Sequence, residues 1–205
     1  MFNKLVFKNL ELKKLSTSLL VVASLLVAQV PFANYAEAAG ADAAEKKKKR
    51  PTQLVGPRVG KKVQKAFEAY SADDIKGALA ILLEIEASKP YDKAYVARMI
   101  AVMYATLGDN DQKTIEYLKK AIEPDLLNEG DHSESLKLLG DMQMQTKDYK
   151  GALISFYAWM DFSGKDDGQT YVKIANAYYS LKQLDKVIEP ADKAIAAFGD
   201  KPNQN

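Results

Sequence analysis

A repeated apolar spacing constrains the fold of this chain more than any other feature of its sequence. The segment Leu139–Met160 reads LGDMQMQTKDYKGALISFYAWM, and from Ile174 the chain reads IANAYYSLKQLDKVIEPADKAI. The second segment follows the first at a constant offset of 35 residues, so that Gly140 is matched by Ala175. Self-similarity at a fixed period of this length indicates an array of small, stacked structural units.

Each unit consists of two predicted helices joined by a short polar turn. Apolar residues recur at helical spacing over 63–70, and the pattern resumes over 78–85 after a turn at Asp73 and Asp74. β-branched residues never alternate with polar ones over four or more positions, so no strand is predicted. Further helix pairs are predicted at Tyr95–Thr106 with Thr114–Ile122, Ser135–Gln145 with Tyr149–Asp161, and Tyr171–Leu181 with Leu184–Phe198.

Small side chains occupy the places where the helices of each unit must approach closely. Two antiparallel helices cannot bury both of their apolar faces alone, so each pair must stack on the next pair. This pattern, together with a terminal proline and the turn KDYKGA at 147–152, resembles the tetratricopeptide repeat (TPR) family. The positions that carry the resemblance are Ala66, Ala78, Pro90, Ala101, Thr114, Gly140, Tyr149, Ala152, Phe156, Ala175, Val187 and Ala194.

The resemblance implies an all-α fold, a right-handed superhelical solenoid of about four TPR-like repeats within residues 60–205. The repeats are expected at about 60–92, 93–126, 133–164 and 168–201. Trp159 stands where a small residue is usual, and Pro190 is predicted to kink a helix. We expect the array to continue beyond the given C-terminus, because the fourth repeat has apolar positions left for another neighbour. Those positions are Ile174, Ala177, Tyr178, Val187, Ile188 and Ala191.

Residues 1–38 are predicted to form a secretory signal peptide. Four lysines precede the apolar run at 19–32, and Ala36 and Ala38 provide small residues at both recognition positions of a signal peptidase. Cleavage between Ala38 and Ala39 is expected, which implies an exported, periplasmic protein. An uncleaved anchor is the alternative, but the run is shorter than the roughly 20 apolar residues that span a bilayer.

A basic segment follows the predicted cleavage site. Lys46–Arg50 carries five consecutive cations, and residues 39–59 are predicted to be a flexible linker. The same cations could contact anionic lipid headgroups, which is the one membrane contact that the sequence suggests. Nucleic acid is not an expected partner, because an exported protein rarely meets it.

The sequence contains no convergent catalytic or metal-binding constellation. It has no cysteine and one histidine, which excludes disulfides, thiolate metal sites and multi-histidine centres. The segment GPRVGKK at 56–62 is one residue short of a phosphate-binding loop and lacks its Ser or Thr. His132 is predicted to lie in a solvent-exposed loop, where Asp131 or Ser133 caps the next helix. We therefore predict a protein that is not an enzyme and uses no metal or cofactor.

The TPR resemblance implies that a protein or peptide partner lies in a concave groove lined by the first helices of successive repeats. Packing between repeats is the alternative role for the aromatic candidates. Some members of the family grip a terminal carboxylate with a Lys and an Asn one turn apart, and that pair is absent here. The groove candidates are Phe67, Tyr70, Tyr95, Arg98, Val102, Lys137, Asp141, Met144, Lys173, Asn176 and Tyr179.

Residues 50–95 carry a narrower resemblance. This stretch begins RPTQLVGPRVGKKVQKAF and is similar to the start of periplasmic TPR proteins encoded beside TonB energy-transduction systems in marine gammaproteobacteria. The resemblance implies a scaffold that is accessory to TonB-dependent uptake of iron or haem and whose partners belong to the TonB complex. An interaction module for envelope assembly or cell-wall enzymes is one alternative, and a small-ligand-binding protein or enzyme is another.

Overall fold

The computed structural model describes residue 50 and residues 52–199. The predicted signal peptide, the Ala38–Ala39 cleavage site and the cations at 46–49 lie outside the described residues. Within the described part there is no strand, and no helix is long and apolar enough to cross a membrane. Its α-helices are α1 (Pro57–Ser71), α2 (Ile75–Leu83), α3 (Pro90–Leu107), α4 (Asp111–Ile122), α5 (Glu129–Gln145), α6 (Tyr149–Ser163), α7 (Gly168–Ser180) and α8 (Ile188–Phe198), with a 3₁₀ turn at Leu184–Lys186 before α8.

The helices form four antiparallel pairs, and each pair packs on the next. α1 packs on α2, α3 on α4, α5 on α6, and α7 on α8, while the second helix of each pair also contacts the first helix of the next pair. Buried apolar residues form three successive clusters, which lie in α1–α3, α3–α6 and α6–α8. The core therefore runs along an array of pairs, and the all-α solenoid predicted from the repeat is confirmed.

The turn inside each pair contains a left-handed residue, and in the first three pairs a side-chain helix cap follows it. Asp73, Gly108, Lys147 and Lys182 have φ angles of 64°, 66°, 65° and 62°. The side chains of Asp74, Asn110 and Asp148 then accept hydrogen bonds from the backbone N–H three residues ahead, at 2.8, 3.0 and 3.0 Å. Because the first N–H groups of a helix have no partner within the helix, these caps determine where α2, α4 and α6 begin.

The small residues at the repeat-signature positions lie in the core of the array. Ala66, Ala78, Ala101, Thr114, Ala152, Ala175 and Ala194 are buried. A Cβ added at Gly140 would lie 2.5 Å from the Phe156 ring, so only glycine fits between these helices as they stand. Of the remaining signature positions, Tyr149 is the first residue of α6, Val187 immediately precedes α8, and Pro90 is the first residue of α3.

Pro190 does not kink a helix, contrary to the prediction. The 3₁₀ turn ends at Lys186 and α8 begins at Ile188, which places Pro190 in the first turn of α8. A proline is tolerated there because the N–H that it lacks would have no acceptor within the helix. Trp159 is buried in the middle core cluster, where its indole N–H donates a 2.9 Å hydrogen bond to Ser133 Oγ.

The prediction of an exposed loop around His132 was also wrong. α5 begins at Glu129, so His132 lies within the helix and is only 1% exposed. Its ring stacks on Phe162 at a centroid distance of 4.4 Å. Burial, followed by the positive charge of Arg50, lowers the pKa of His132 to about 2. The residue before α5 is Asn128, and neither Asp131 nor Ser133 caps the helix.

The described part of the predicted linker is docked on the repeats. The backbone N–H of Gln53 donates to Asn128 Oδ1 at 3.1 Å, and the carbonyl oxygen of Gln53 accepts a hydrogen bond from the hydroxyl of Tyr91 at 3.0 Å. Arg50 forms an ion pair with Asp125. α1 already begins at Pro57, so residues 57–59 are helical, and the prediction of a flexible segment that extends to residue 59 was wrong.

Candidate protein-binding groove

The eleven predicted groove residues all lie on the first helices α1, α3, α5 and α7, but their exposure differs. Phe67, Asn176 and Tyr179 are exposed, and Arg98 is buried. The remaining seven are half-buried: Tyr70, Tyr95, Val102, Lys137, Asp141, Met144 and Lys173.

Arg98 cannot serve as a groove contact, and its prediction as one was wrong. Its side chain is 4% exposed, and its Nε lies 3.1 Å from Asp131 Oδ1. Its Nη2 donates to Glu134 Oε2 at 3.2 Å. The earlier start of α5 brings Asp131 against α3, so the guanidinium joins the second and third repeats. Removal of one partner of such a buried pair leaves an uncompensated charge, which is strongly destabilising.

Two ion pairs connect the third and fourth repeats, one from α5 to Asp167 immediately before α7 and one between α5 and α7. Lys137 Nζ lies 2.6 Å from Asp167 Oδ2, and Lys173 Nζ lies 2.5 Å from Asp141 Oδ1. Burial raises the pKa of Asp167, but hydrogen bonds from Lys137 and Thr170 outweigh it, so the pKa lies below its usual value. All four side chains keep about a third of their surface exposed. Polar groups of a bound protein segment could therefore replace one partner of either ion pair.

The aromatic candidates divide into packing residues and one exposed residue. Tyr70 packs against the first core cluster, and Tyr95 packs against two clusters at once, with its ring 6.1 Å from that of Tyr91. Burial and then the charge of Asp131 raise the pKa of Tyr95. By contrast, Tyr179 is largely exposed, and Lys182 Nζ lies 5.6 Å above its ring. Together with Asn176 one turn earlier, Tyr179 forms the exposed end of the row of predicted groove residues.

Sequence reasoning missed two of the carboxylates that pair with cations predicted to line the groove. Asp167 lies 30 residues after Lys137, and Asp131 lies 33 residues after Arg98, so no local spacing links them. Among the residues that the structure describes, no group of three or more His, Cys, Asp or Glu side chains could hold a metal ion. The predicted groove residues thus present apolar, amide and paired charged groups, which are the kinds of group that protein interfaces contain.

Structures of MamA, a TPR-like helical protein, share this fold. One, described as the MamA RS-1 ArsTM double mutant, is 22% identical over 70% of this chain and 77% of that chain, with a TM-score of 0.57. MamA 41-end from Desulfovibrio magneticus RS-1 has the same identity and coverage and a TM-score of 0.56. A third MamA structure is 14% identical over 68% of this chain and 72% of that chain, with a TM-score of 0.55. No protein-family model and no curated protein matches the sequence. The structural likeness supports a TPR-type fold.

Proposed function

We propose that this chain is a non-enzymatic scaffold that binds a protein segment along its row of first helices. The observation that carries the proposal is the exposed end of that row, where Asn176 and Tyr179 stand beside the partly exposed Lys173–Asp141 pair. Tyrosine provides a large contact area at a small cost in conformational entropy and is enriched where binding energy concentrates. The amide of Asn176 can both donate to and accept from a peptide backbone.

The partner that we propose is a component of a TonB energy-transduction complex, with the protein accessory to uptake of iron or haem. The support is the resemblance of residues 50–95 to periplasmic TPR proteins encoded beside such systems. A module for envelope assembly or cell-wall enzymes would use the same groove, and reading the neighbouring genes would separate these two functions.

Both functions require export, which we propose from the signal peptide pattern. N-terminal sequencing of the protein recovered from the periplasm should start at Ala39. A start at Met1 in the membrane fraction would indicate an anchor instead.

A capture experiment tests the groove. The immobilised protein is exposed to a detergent extract of envelope proteins, and TonB-complex components are quantified by mass spectrometry. We expect the variant Asn176→Ala/Tyr179→Ala to recover several-fold less of them than the wild type. Leu83→Ala is the matched control, because Leu83 is also exposed but lies on the second helix α2. Equal recovery by the groove variant would place binding elsewhere, and recovery of cell-wall enzymes alone would favour the alternative function.

A further inference from the structure

A short segment without regular secondary structure connects the first repeat to the third. We call Arg50 and residues 52–56 the N-terminal strap. The last residue of the strap, Gly56, immediately precedes α1, and its carbonyl oxygen accepts a 2.8 Å hydrogen bond from the backbone N–H of Gly60. The strap is therefore continuous with the first turn of α1, and a movement of one must move the other.

The N-terminal strap is attached to the second repeat at the start of α3. The N–H of Gly56 donates to Asp92 Oδ1 at 3.0 Å, and Asp92 is only 3% exposed. A buried carboxylate requires hydrogen-bond partners, and the strap provides one of them. The hydroxyl of Tyr91 donates to the carbonyl oxygen of Gln53 at 3.0 Å. Val55 packs against both the α1–α3 cluster and the α3–α6 cluster, so the strap is also part of the apolar packing.

The N-terminal strap is attached to the third repeat through the residue that precedes α5. Asparagine commonly caps a helix, but the side chain of Asn128 makes no cap hydrogen bond to α5. Its Oδ1 instead accepts from the backbone N–H of Gln53 at 3.1 Å, and its Nδ2 donates to the hydroxyl of Tyr91 at 3.3 Å. Both backbone groups of Gln53 are thus held, the N–H from the third repeat and the carbonyl oxygen from the second.

Arg50 extends the attachment to the second helix of the third repeat. It forms an ion pair with Asp125, and its Nη1 donates to the carbonyl oxygen of Asp125 at 3.2 Å. The guanidinium carbon lies 4.9 Å from the centre of the Phe162 ring, and Phe162 belongs to α6. A guanidinium group at this distance from an aromatic ring is attracted to it. The strap therefore contacts α6 as well as the loop before α5.

The fourth pair of helices takes part in none of the strap contacts described above. Its α7 packs on α6, and its α8 packs on α7. Ile188 of α8 is exposed, as predicted for an open face, and Val187 and Ala191 are half-buried. The other residues assigned to that face are buried, contrary to the prediction: Ile174, Ala177 and Tyr178. Within the described residues, the fourth pair therefore depends on its junction with the third repeat.

We propose that the N-terminal strap makes the first three repeats one cooperative unit. In a simple repeat array each repeat contacts only its neighbours, so stability is a sum of repeat and nearest-neighbour contributions. The strap adds a direct connection from the first repeat to the third, because its contacts with Asn128 and Phe162 are continuous with α1. Opening of the first or the third repeat must break these contacts, so the two open together, whereas α7 and α8 open separately. This coupling does not depend on what binds the groove and goes beyond the proposed function.

Native-state hydrogen exchange, followed by mass spectrometry of the purified protein, measures this coupling. The test variant is Arg50→Ala/Gln53→Ala, which removes the ion pair, the contact with Phe162 and the 2.9 Å hydrogen bond from Gln53 Nε2 to the carbonyl oxygen of Leu126.

The matched control is Lys61→Ala/Gln64→Ala, because it also removes one cation and one amide from the first repeat, but both are exposed on α1. Circular dichroism verifies that each variant is folded.

We expect amide exchange in the test variant to be about fivefold to tenfold faster than in the wild type throughout α1 to α6. The factor should be similar in the first and third repeats, because the two open together. Exchange in α7 and α8 should be unchanged, and the control variant should exchange like the wild type.

A second variant tests the contacts to the strap backbone. Tyr91→Phe removes the hydroxyl that donates to Gln53 and accepts from Asn128, and it should produce the same pattern of faster exchange in α1 to α6. Tyr95→Phe, one turn later on α3, is its matched control, because the Tyr95 hydroxyl takes part in none of the strap contacts described above.

Three results would overturn the proposal. Faster exchange confined to the strap and the loop at 123–128 would mean that the strap is docked without coupling the repeats. Faster exchange in α5 and α6 without a change in α1 and α2 would mean that the first repeat opens independently. Equal acceleration from α1 to α8 would mean that the fourth pair belongs to the same unit, so that the strap does not define it.

Discussion

Gly140→Ala should destabilise the array through a single added methyl group. In the structure, a Cβ at this position would lie 2.5 Å from Phe156 Cε1 and 2.7 Å from Cδ1, distances at which atoms must move apart. The Phe156 ring cannot swing into solvent, because it is fully buried in the cluster that joins α6 to α7 and α8. The helices α5 and α6 must therefore separate, or the ring must move from its present position.

The expected magnitude is the difference between two opposing effects. Overpacking of a core by a methyl-sized group costs about 1–3 kcal/mol. Replacement of glycine by alanine inside a helix raises the free energy of unfolding by about 0.5–1 kcal/mol. We expect a net loss in the free energy of unfolding of about 1 kcal/mol. Gly60→Ala in α1 is the matched control, because its added Cβ would meet nothing within 4 Å. Only the stabilising effect of replacing glycine in a helix should therefore appear in this variant.

Urea denaturation followed by circular dichroism measures both variants. Gly140→Ala should lower the midpoint and Gly60→Ala should raise it. The second substitution Phe156→Leu should then cost less in the Gly140→Ala protein than in the wild type, because it removes the clashing ring atoms. If the two alanine variants are equally stable, the close approach of α5 and α6 does not limit the size of residue 140, and the reasoning fails.

Three further predictions follow from buried or strained positions. Ala152→Leu should lower stability by roughly 1–3 kcal/mol, because Ala152 is fully buried between helices; unchanged thermal unfolding would contradict its packing role. The pKa of His132 is lowered in the folded state, so the unfolded chain takes up the proton first as the pH falls below about 6.5. Stability should therefore fall by about 2 kcal/mol between pH 7 and 5 and not do so in His132→Phe, as urea titrations at both pH values would reveal. Lys147→Gly should raise the melting temperature by relieving a left-handed residue at φ 65°, a gain of about 1 kcal/mol; an unchanged or lower value would contradict this.

Much of the fold could be predicted because its signals are local. Small residues recur at one period, and the caps at Asp74 and Asp148 stand immediately before their helices. The start of α5 could not be predicted, because the first residues, Glu129 and Gly130, include a poor helix former. Packing of His132 and Asp131 against neighbouring helices overrides that weak local preference.

The candidate groove was less predictable than the fold because exposure depends on residues distant in sequence. The repeat period predicts that Arg98 and Lys137 lie on first helices, but it does not show which carboxylates face them. Arg98 is buried in an ion pair with Asp131 and is therefore not a groove contact. Lys137 forms a partly exposed ion pair with Asp167. Tyr179 is exposed, as its assignment to the groove requires.

The position of Trp159 allows tryptophan fluorescence to report on one junction of the array. It is the one tryptophan of the chain, and its buried indole lies in the cluster that joins the second repeat to the third, with Lys137 Nζ 4.4 Å above the ring. Far-ultraviolet dichroism averages over all helices, whereas tryptophan emission reports on this one junction. If unfolding in denaturant begins at α8, the ellipticity should begin to fall at a lower denaturant concentration than the one at which the tryptophan emission shifts. The difference between the midpoints of the two unfolding curves would then measure how strongly the folding of one repeat depends on its neighbour.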